Sequence, residues 1–227
     1  MKTAIVTGAS GNLGKAVVEH LLADGYHVTG TVFRHRSNAG SSSHLDERVA
    51  DLGKEDEAED LVTSVVDKYK RIDVAVLTVG GFAAGKLEDT GIEDIREQIR
   101  LNFDTAYNVA RPVFKQMMKQ QTGRIFLVGS RPALDMRAGQ AMLAYSFAKS
   151  LVVRLAESLN ESAGKTDVVT SLVVPGTIDT PQNREGMPKA DFNKWVKPED
   201  IAKTIIFYCS GAGRILREPV LKVYGQS

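Results

Sequence analysis

Cysteine is almost missing from this chain: Cys209 is the single one among 227 residues. One thiol cannot build an intrachain disulfide framework, and its place in the apolar run Ile205-Ile206-Phe207-Tyr208-Cys209 marks it as a small buried hydrophobe, so a reducing cytoplasm is the expected compartment. Excess charge is missing too. With 29 Lys and Arg against 28 Asp and Glu, the net charge of +1 gives no reason to expect a nucleic-acid partner or an anionic membrane. No uninterrupted apolar segment approaches about 18 residues, and the opening Met1-Lys2-Thr3-Ala4-Ile5-Val6 reads as strand, so neither a membrane span nor a secretion signal is expected. The four histidines, His20, His27, His35 and His44, lack metal-ligand spacing, and no metal is expected. No Gly-x-Ser-x-Gly elbow surrounds Ser130, which argues against a hydrolase.

What is present is an alternation of short β-rich runs with amphipathic helical stretches. Strands are predicted at 3–6, 27–33, 48–50, 73–77, 124–128, 168–174 and 220–223, and helices at 12–23, 55–70, 92–120 (kinked near Asn102), 142–163 and 198–210. This is the pattern of one doubly wound α/β domain over residues 1–227, with a parallel sheet and helices on both faces. No repeat or linker divides it. Residues 176–197 are too long and irregular for an ordinary connection, and are expected to form a lid over a ligand.

The first strand runs into Thr7-Gly8-Ala9-Ser10-Gly11-Asn12-Leu13-Gly14 and then a helix. Glycines there permit a tight turn and close backbone approach, and a helix N-terminus offers free N–H groups, so the strand–turn–helix order predicts a pyrophosphate and hence a dinucleotide. An acid after the second strand would favour NAD; the sequence has Val32-Phe33-Arg34-His35-Arg36 instead, and two guanidiniums favour the extra phosphate of NADP, with NAD as the second choice. Asp51-Leu52 is a candidate adenine contact, although an ordinary polar turn fits those residues equally. Gly80, in Thr78-Val79-Gly80-Gly81, leaves backbone room for a cofactor to pass.

Tyr145 and Lys149 are four residues apart on a predicted helix and so share a face. Taken alone, such a pair is more often a solvated surface contact. A positive charge about 4 Å away, however, favours phenolate by roughly 4 kcal/mol at an effective dielectric of about 20, up to about three pKa units. With Ser130 at the end of the fifth strand, the three side chains make a metal-free proton-donating site.

Together, the glycine turn, Asn102, Ser130, Tyr145 with Lys149, and Pro175-Gly176-Thr177-Ile178-Asp179-Thr180 resemble the short-chain dehydrogenase/reductase family over essentially the whole chain. The resemblance implies a Rossmann-type seven-stranded sheet of order 3-2-1-4-5-6-7. It implies Tyr145 as general acid, Lys149 lowering its pKa and binding the nicotinamide ribose, and Ser130 bonding the substrate oxygen. It further implies that Asn102 holds a kinked helix and a relay water. Gly8, Ser10, Asn12, Leu13 and Gly14 are implied on the pyrophosphate side, and Pro175, Ile178 and Thr180 near the nicotinamide. A homodimer or tetramer is implied as well.

Residues 179–195, Val79-Gly80-Gly81-Phe82 and the short C-terminus are similar to the quinonoid dihydropteridine reductases. Animal members of that branch carry an acid after the second strand and lack the serine, whereas Arg34 and Ser130 stand here. The leading expectation is therefore NADP(H)-dependent hydride transfer to or from a small ketone or aldehyde, with a pterin reductase as the alternative. A nicotinamide-binding redox sensor without turnover is the reading from another class. Met187, Phe192 and Trp195 are expected to select the substrate from the lid, and Arg184 to anchor a polar group.

Overall fold

The computed structural model describes residues 1–32 and 43–226. The chain opens with β1 (Thr3–Thr7), α1 (Asn12–Ala23), β2 (His27–Val32), β3 (Leu45–Val49), α2 (Glu55–Tyr69) and β4 (Val74–Leu77). There follow α3 (Ile92–Ile99), a π-helical turn (Arg100–Asp104), α4 (Thr105–Gln120), β5 (Thr122–Val128), and the short α5 (Arg131–Leu134) and α6 (Met136–Gly139). The last part holds α7 (Leu143–Ala163), β6 (Asp167–Pro175), α8 (Pro181–Gly186), α9 (Pro198–Cys209) and β7 (Val220–Val223). All seven strands form one parallel sheet of order β3-β2-β1-β4-β5-β6-β7, as expected.

Strand composition explains the layers. The central strands are buried along their whole length, β1 as Thr-Ala-Ile-Val-Thr and β4 as Val-Ala-Val-Leu, because helices cover both faces. One core gathers Ile5, Leu61, Val109, Leu127 and Val152 beneath α2, α4 and α7; the other gathers Val6, Val17, Leu21, Phe126 and Ile205 beneath α1 and α9. Strand order reverses between β1 and β4, which opens a crevice at the carboxyl ends of those strands, where ligands bind in open α/β sheets.

Three sequence expectations need correction. β3 lies at Leu45–Val49 rather than 48–50: it is an edge strand, Leu-Asp-Glu-Arg-Val, mostly exposed and too polar to show a period-two pattern. The expected break near Asn102 is a π turn, so the predicted 92–120 helix is two helices joined there. The 176–197 segment, expected as a lid, is not irregular: Thr180 caps α8 by accepting the Asn183 N–H, and Asp179 N–H to Val196 O and Val196 N–H to Thr177 O close its base.

Candidate active site

The glycine turn is held open by its neighbours on β2. Thr31 accepts the Gly8 N–H on its hydroxyl at 3.0 Å, and its carbonyl accepts the Ala9 N–H at 2.8 Å. Gly8 has a φ of +66°, a region that L side chains rarely adopt, and a Cβ at Gly14 would stand 2.1 Å from the Gly8 carbonyl oxygen. Ser10 and Asn12 are exposed on the turn. Leu13 is buried in the core under α1, so it can offer a ligand only its backbone. Asn12 donates to Gln182 Oε1 on α8 at 2.9 Å, joining turn to lid.

Around this turn the other predicted cofactor contacts fall unequally. Arg34 and Arg36 lie outside the described residues. Asp51 is exposed and its carboxylate accepts the Gly53 N–H at 3.1 Å, whereas the Leu52 side chain is buried and its carbonyl accepts from Asn108 at 3.0 Å; of the two, only Asp51 has a side chain free to face an adenine. Pro175 ends β6, and Ile178 and Thr180 follow it, partly buried.

Asn102, Gly80 and Lys149 meet where β4 ends. Asn102 is 1% exposed; it donates to Gly81 O at 3.0 Å and Gln98 O at 3.1 Å, and accepts the Gly81 N–H at 3.2 Å. A Cβ at Gly80 would lie 2.6 Å from Asn102 Oδ1 and 3.3 Å from Lys149 Nζ. Lys149, also buried, donates from Nζ to the carbonyl oxygen of Val128, the last residue of β5, at 2.8 Å. Ser130, two residues on, keeps a buried hydroxyl with no hydrogen-bond partner.

The electrostatics differ from the expected tuning. Burial raises the Tyr145 pKa, and the nearby Ser130 hydroxyl counters that only in part; the two are neighbours, without a hydrogen bond of normal geometry. Burial also lowers Lys149 to about 8. The i, i+4 spacing does bring them together, with Nζ 5.8 Å from the Tyr145 ring centre, but the ammonium points to Val128 O and desolvation dominates the phenol. At neutral pH Tyr145 is therefore a protonated donor beside a charged lysine.

Gln98 escaped sequence reasoning, and Phe82 and Arg184 make contacts that it did not foresee. Gln98, one turn before Asn102, holds its amide, a signal that i, i−4 spacing could have carried. Phe82, 63% exposed, meets the Tyr145 ring edge-on at 5.3 Å. Arg184 is not a free anchor: it forms a two-pronged pair with Asp179 at 2.5 and 2.8 Å and lies 4.7 Å from the Phe192 ring. Phe192 in turn packs on Trp195 at 4.7 Å, so this side of the lid is internally braced.

The family model for short chain dehydrogenase matches residues 2–191. The chain belongs to the short-chain dehydrogenase family, a family of NAD(P)-dependent oxidoreductases. It is 30% identical over 221 residues to a 3-oxoacyl-[acyl-carrier-protein] reductase of Synechocystis, covering 91% of this chain and 88% of that one. It is 28% identical over 207 residues to a dihydropteridine reductase of Dictyostelium discoideum, covering 90% and 86%. Among solved structures, ElxO with NADP bound superposes with a TM-score of 0.90 at 21% identity, over 99% of this chain and 97% of that one, a likeness of fold. Among the described residues no helix is long and apolar enough to cross a membrane.

Proposed function

We propose that the protein is an NADP(H)-preferring reductase of a small carbonyl compound, with Tyr145 as general acid. The observation that carries this reading is the convergence of an unpartnered buried Ser130 hydroxyl, the protonated Tyr145 phenol and the Lys149 ammonium at the end of β5, beside a glycine turn shaped for a pyrophosphate. The residues fit a dinucleotide, because positive φ at Gly8 and close packing at Gly14 draw the turn tight against α1, whose N-terminus carries no side-chain cap and is exposed at Ser10, Gly11 and Asn12. A bound nicotinamide cofactor supplies the hydride. Ser130 donates a hydrogen bond to the carbonyl oxygen and polarises it; Tyr145 delivers its proton to that oxygen as negative charge develops there. Lys149, held by Val128 O, stabilises the resulting phenolate, and Asn102 fixes the Gly81 backbone beside it. Gly8, Ser10, Asn12, the Leu13 backbone and Gly14 would hold the pyrophosphate, Asp51 the adenosine end, and Pro175, Ile178 and Thr180 the nicotinamide.

NADP is preferred because no carboxylate follows β2 in sequence, while Arg34 and Arg36 do. The Synechocystis relative is by name a reductase of a ketone, which agrees with the retained Ser130. A quinonoid pterin is the second reading, favoured by the Dictyostelium relative and by the flat Phe82 ring against Tyr145. Self-association would use the exposed Tyr107, Phe147 and Leu151 of α4 and α7. The cytoplasm suits Cys209, whose thiol burial pushes up to about 12.

The test is a screen of ketones, aldehydes and a quinonoid pterin with NADPH and NADH. The expected result is NADPH oxidation with a ketone or aldehyde, with Arg34→Ala and Arg36→Ala weakening NADPH but not NADH. Turnover confined to the pterin would replace the carbonyl reading, and turnover with none of them would favour a cofactor-binding sensor.

A further inference from the structure

At the opposite end of the sheet a pocket of about 100 Å³ opens at the starts of β1, β4 and β5. It opens to solvent and has room for one four-oxygen anion. Its floor is buried: the Arg124 side chain is 8% exposed, Tyr26 2% and Cys209 7%. Lys2, Arg71 and Arg214 complete its charged lining, with Asp73 as the one acid.

Charge here is unbalanced. Asp73 is taken by the Arg71 guanidinium and by the Thr3 N–H at 2.8 Å. Beside the pocket, Asp167 alone serves Arg124 at 2.9 Å, Arg217 at 3.1 Å and Arg214, and it also accepts the Thr122 hydroxyl at 2.9 Å. Within the lining four cations thus face one acid, with Asp167 beside it and Asp24 acting on Tyr26 and Cys209; the buried Arg124 is itself compensated, Nη1 donating to Gly123 O and Asp167 O and Nη2 to Asp167 Oδ1 and Arg214 O. Cys209, held as a neutral thiol, adds no negative charge, and burial keeps the Tyr26 phenol protonated as a donor.

We propose that this basal pocket binds a small free oxyanion of the charge and size of inorganic phosphate or sulfate, held by Lys2, Arg71 and Arg214, with the buried Arg124 adding positive charge beneath it. Arg71 and Arg214 each spend Nε and Nη2 on a carboxylate, Asp73 and Asp167 respectively, which leaves Nη1 of each to donate a charge-assisted hydrogen bond to an anion oxygen. The anion would tie together the starts of three strands and the segment after α9, and it would act independently of the catalytic edge.

The experiment is thermal unfolding of the full chain titrated with sodium phosphate against sodium chloride at equal ionic strength. At about five times its Kd, phosphate should raise Tm saturably by about 2–4 °C. The rise should vanish in Arg214→Gln and in Arg71→Gln, both at half-exposed side chains, and persist in Arg96→Gln, a charge-matched change on α3. Circular dichroism and Tm in chloride establish that each variant folds. A rise that is equal in all variants would come from general exclusion of phosphate from the surface or from the glycine turn, and would overturn the assignment. No difference between phosphate and chloride would overturn it as well, as would a rise seen only with a monoester such as glycerol 2-phosphate.

Discussion

Lys149, a residue of the proposed site, shows how a buried charge works against the fold that holds it. Its pKa of about 8 lies well below the usual lysine value, so the unfolded chain binds its proton more tightly than the folded one. The cost to stability is full below pH 8, shrinks as pH rises from there, and is gone above about 10.4. Its size is of order 3 kcal/mol. Lys149→Met should therefore stabilise the protein in urea unfolding at pH 7, by up to about that amount, while abolishing turnover; a destabilised variant would show that the Val128 hydrogen bond outweighs desolvation. The same group sets a pH limb. kcat/KM for carbonyl reduction should fall as pH passes through about 8, where the ammonium is lost, and a flat profile to pH 10 would remove Lys149 from the chemistry. The sequence made the Tyr145–Lys149 pair legible because it is local, four residues on one helix. It could not reveal the direction of the tuning, since desolvation depends on how β5, the π turn and α7 close around the pair.

At the scale of elements, the glycine turn and the lid are coupled through Asn12 and Gln182, 170 residues apart. Sequence reading found both segments but not the contact, which exists only once α8 folds back over α1. One exposed hydrogen bond contributes about 0.5–1.5 kcal/mol, so Gln182→Ala should speed cofactor release by roughly two- to tenfold in stopped-flow measurements. An unchanged rate would mean that the lid closes without this contact. Arg184 carries a similar lesson: read as a loop cation it looked available, but Asp179 five residues earlier takes it. The alternation of strands and helices was legible because central strands and amphipathic helices have strong periods, and it gave the sheet order through the family resemblance. β3 was misplaced because an exposed edge strand needs few apolar residues.

For the molecule as a whole, the ion pairs around Asp167 and the proposed catalytic site occupy opposite ends of one sheet. Asp167 at the basal end is pulled down to about 2 by its hydrogen bonds to Arg214 and Arg124, against the opposing effect of burial. A carboxylate depressed in this way stabilises the fold above about pH 4, and that contribution, about 2 kcal/mol, is lost as pH falls through 2. Asp167→Asn should cost at least that much at pH 7, because it also leaves Arg124 buried without its carboxylate, and the pKa-linked part of the difference from the native chain should shrink in acid; equal stability at pH 7 would contradict the account. At the carboxyl end, the proposed reaction rests on one proton. Turnover of Tyr145→Phe measured beside NADPH affinity tests this most directly: the account predicts a loss of about 10²- to 10⁴-fold in kcat with cofactor affinity retained, and turnover at the level of the unmodified enzyme would contradict it.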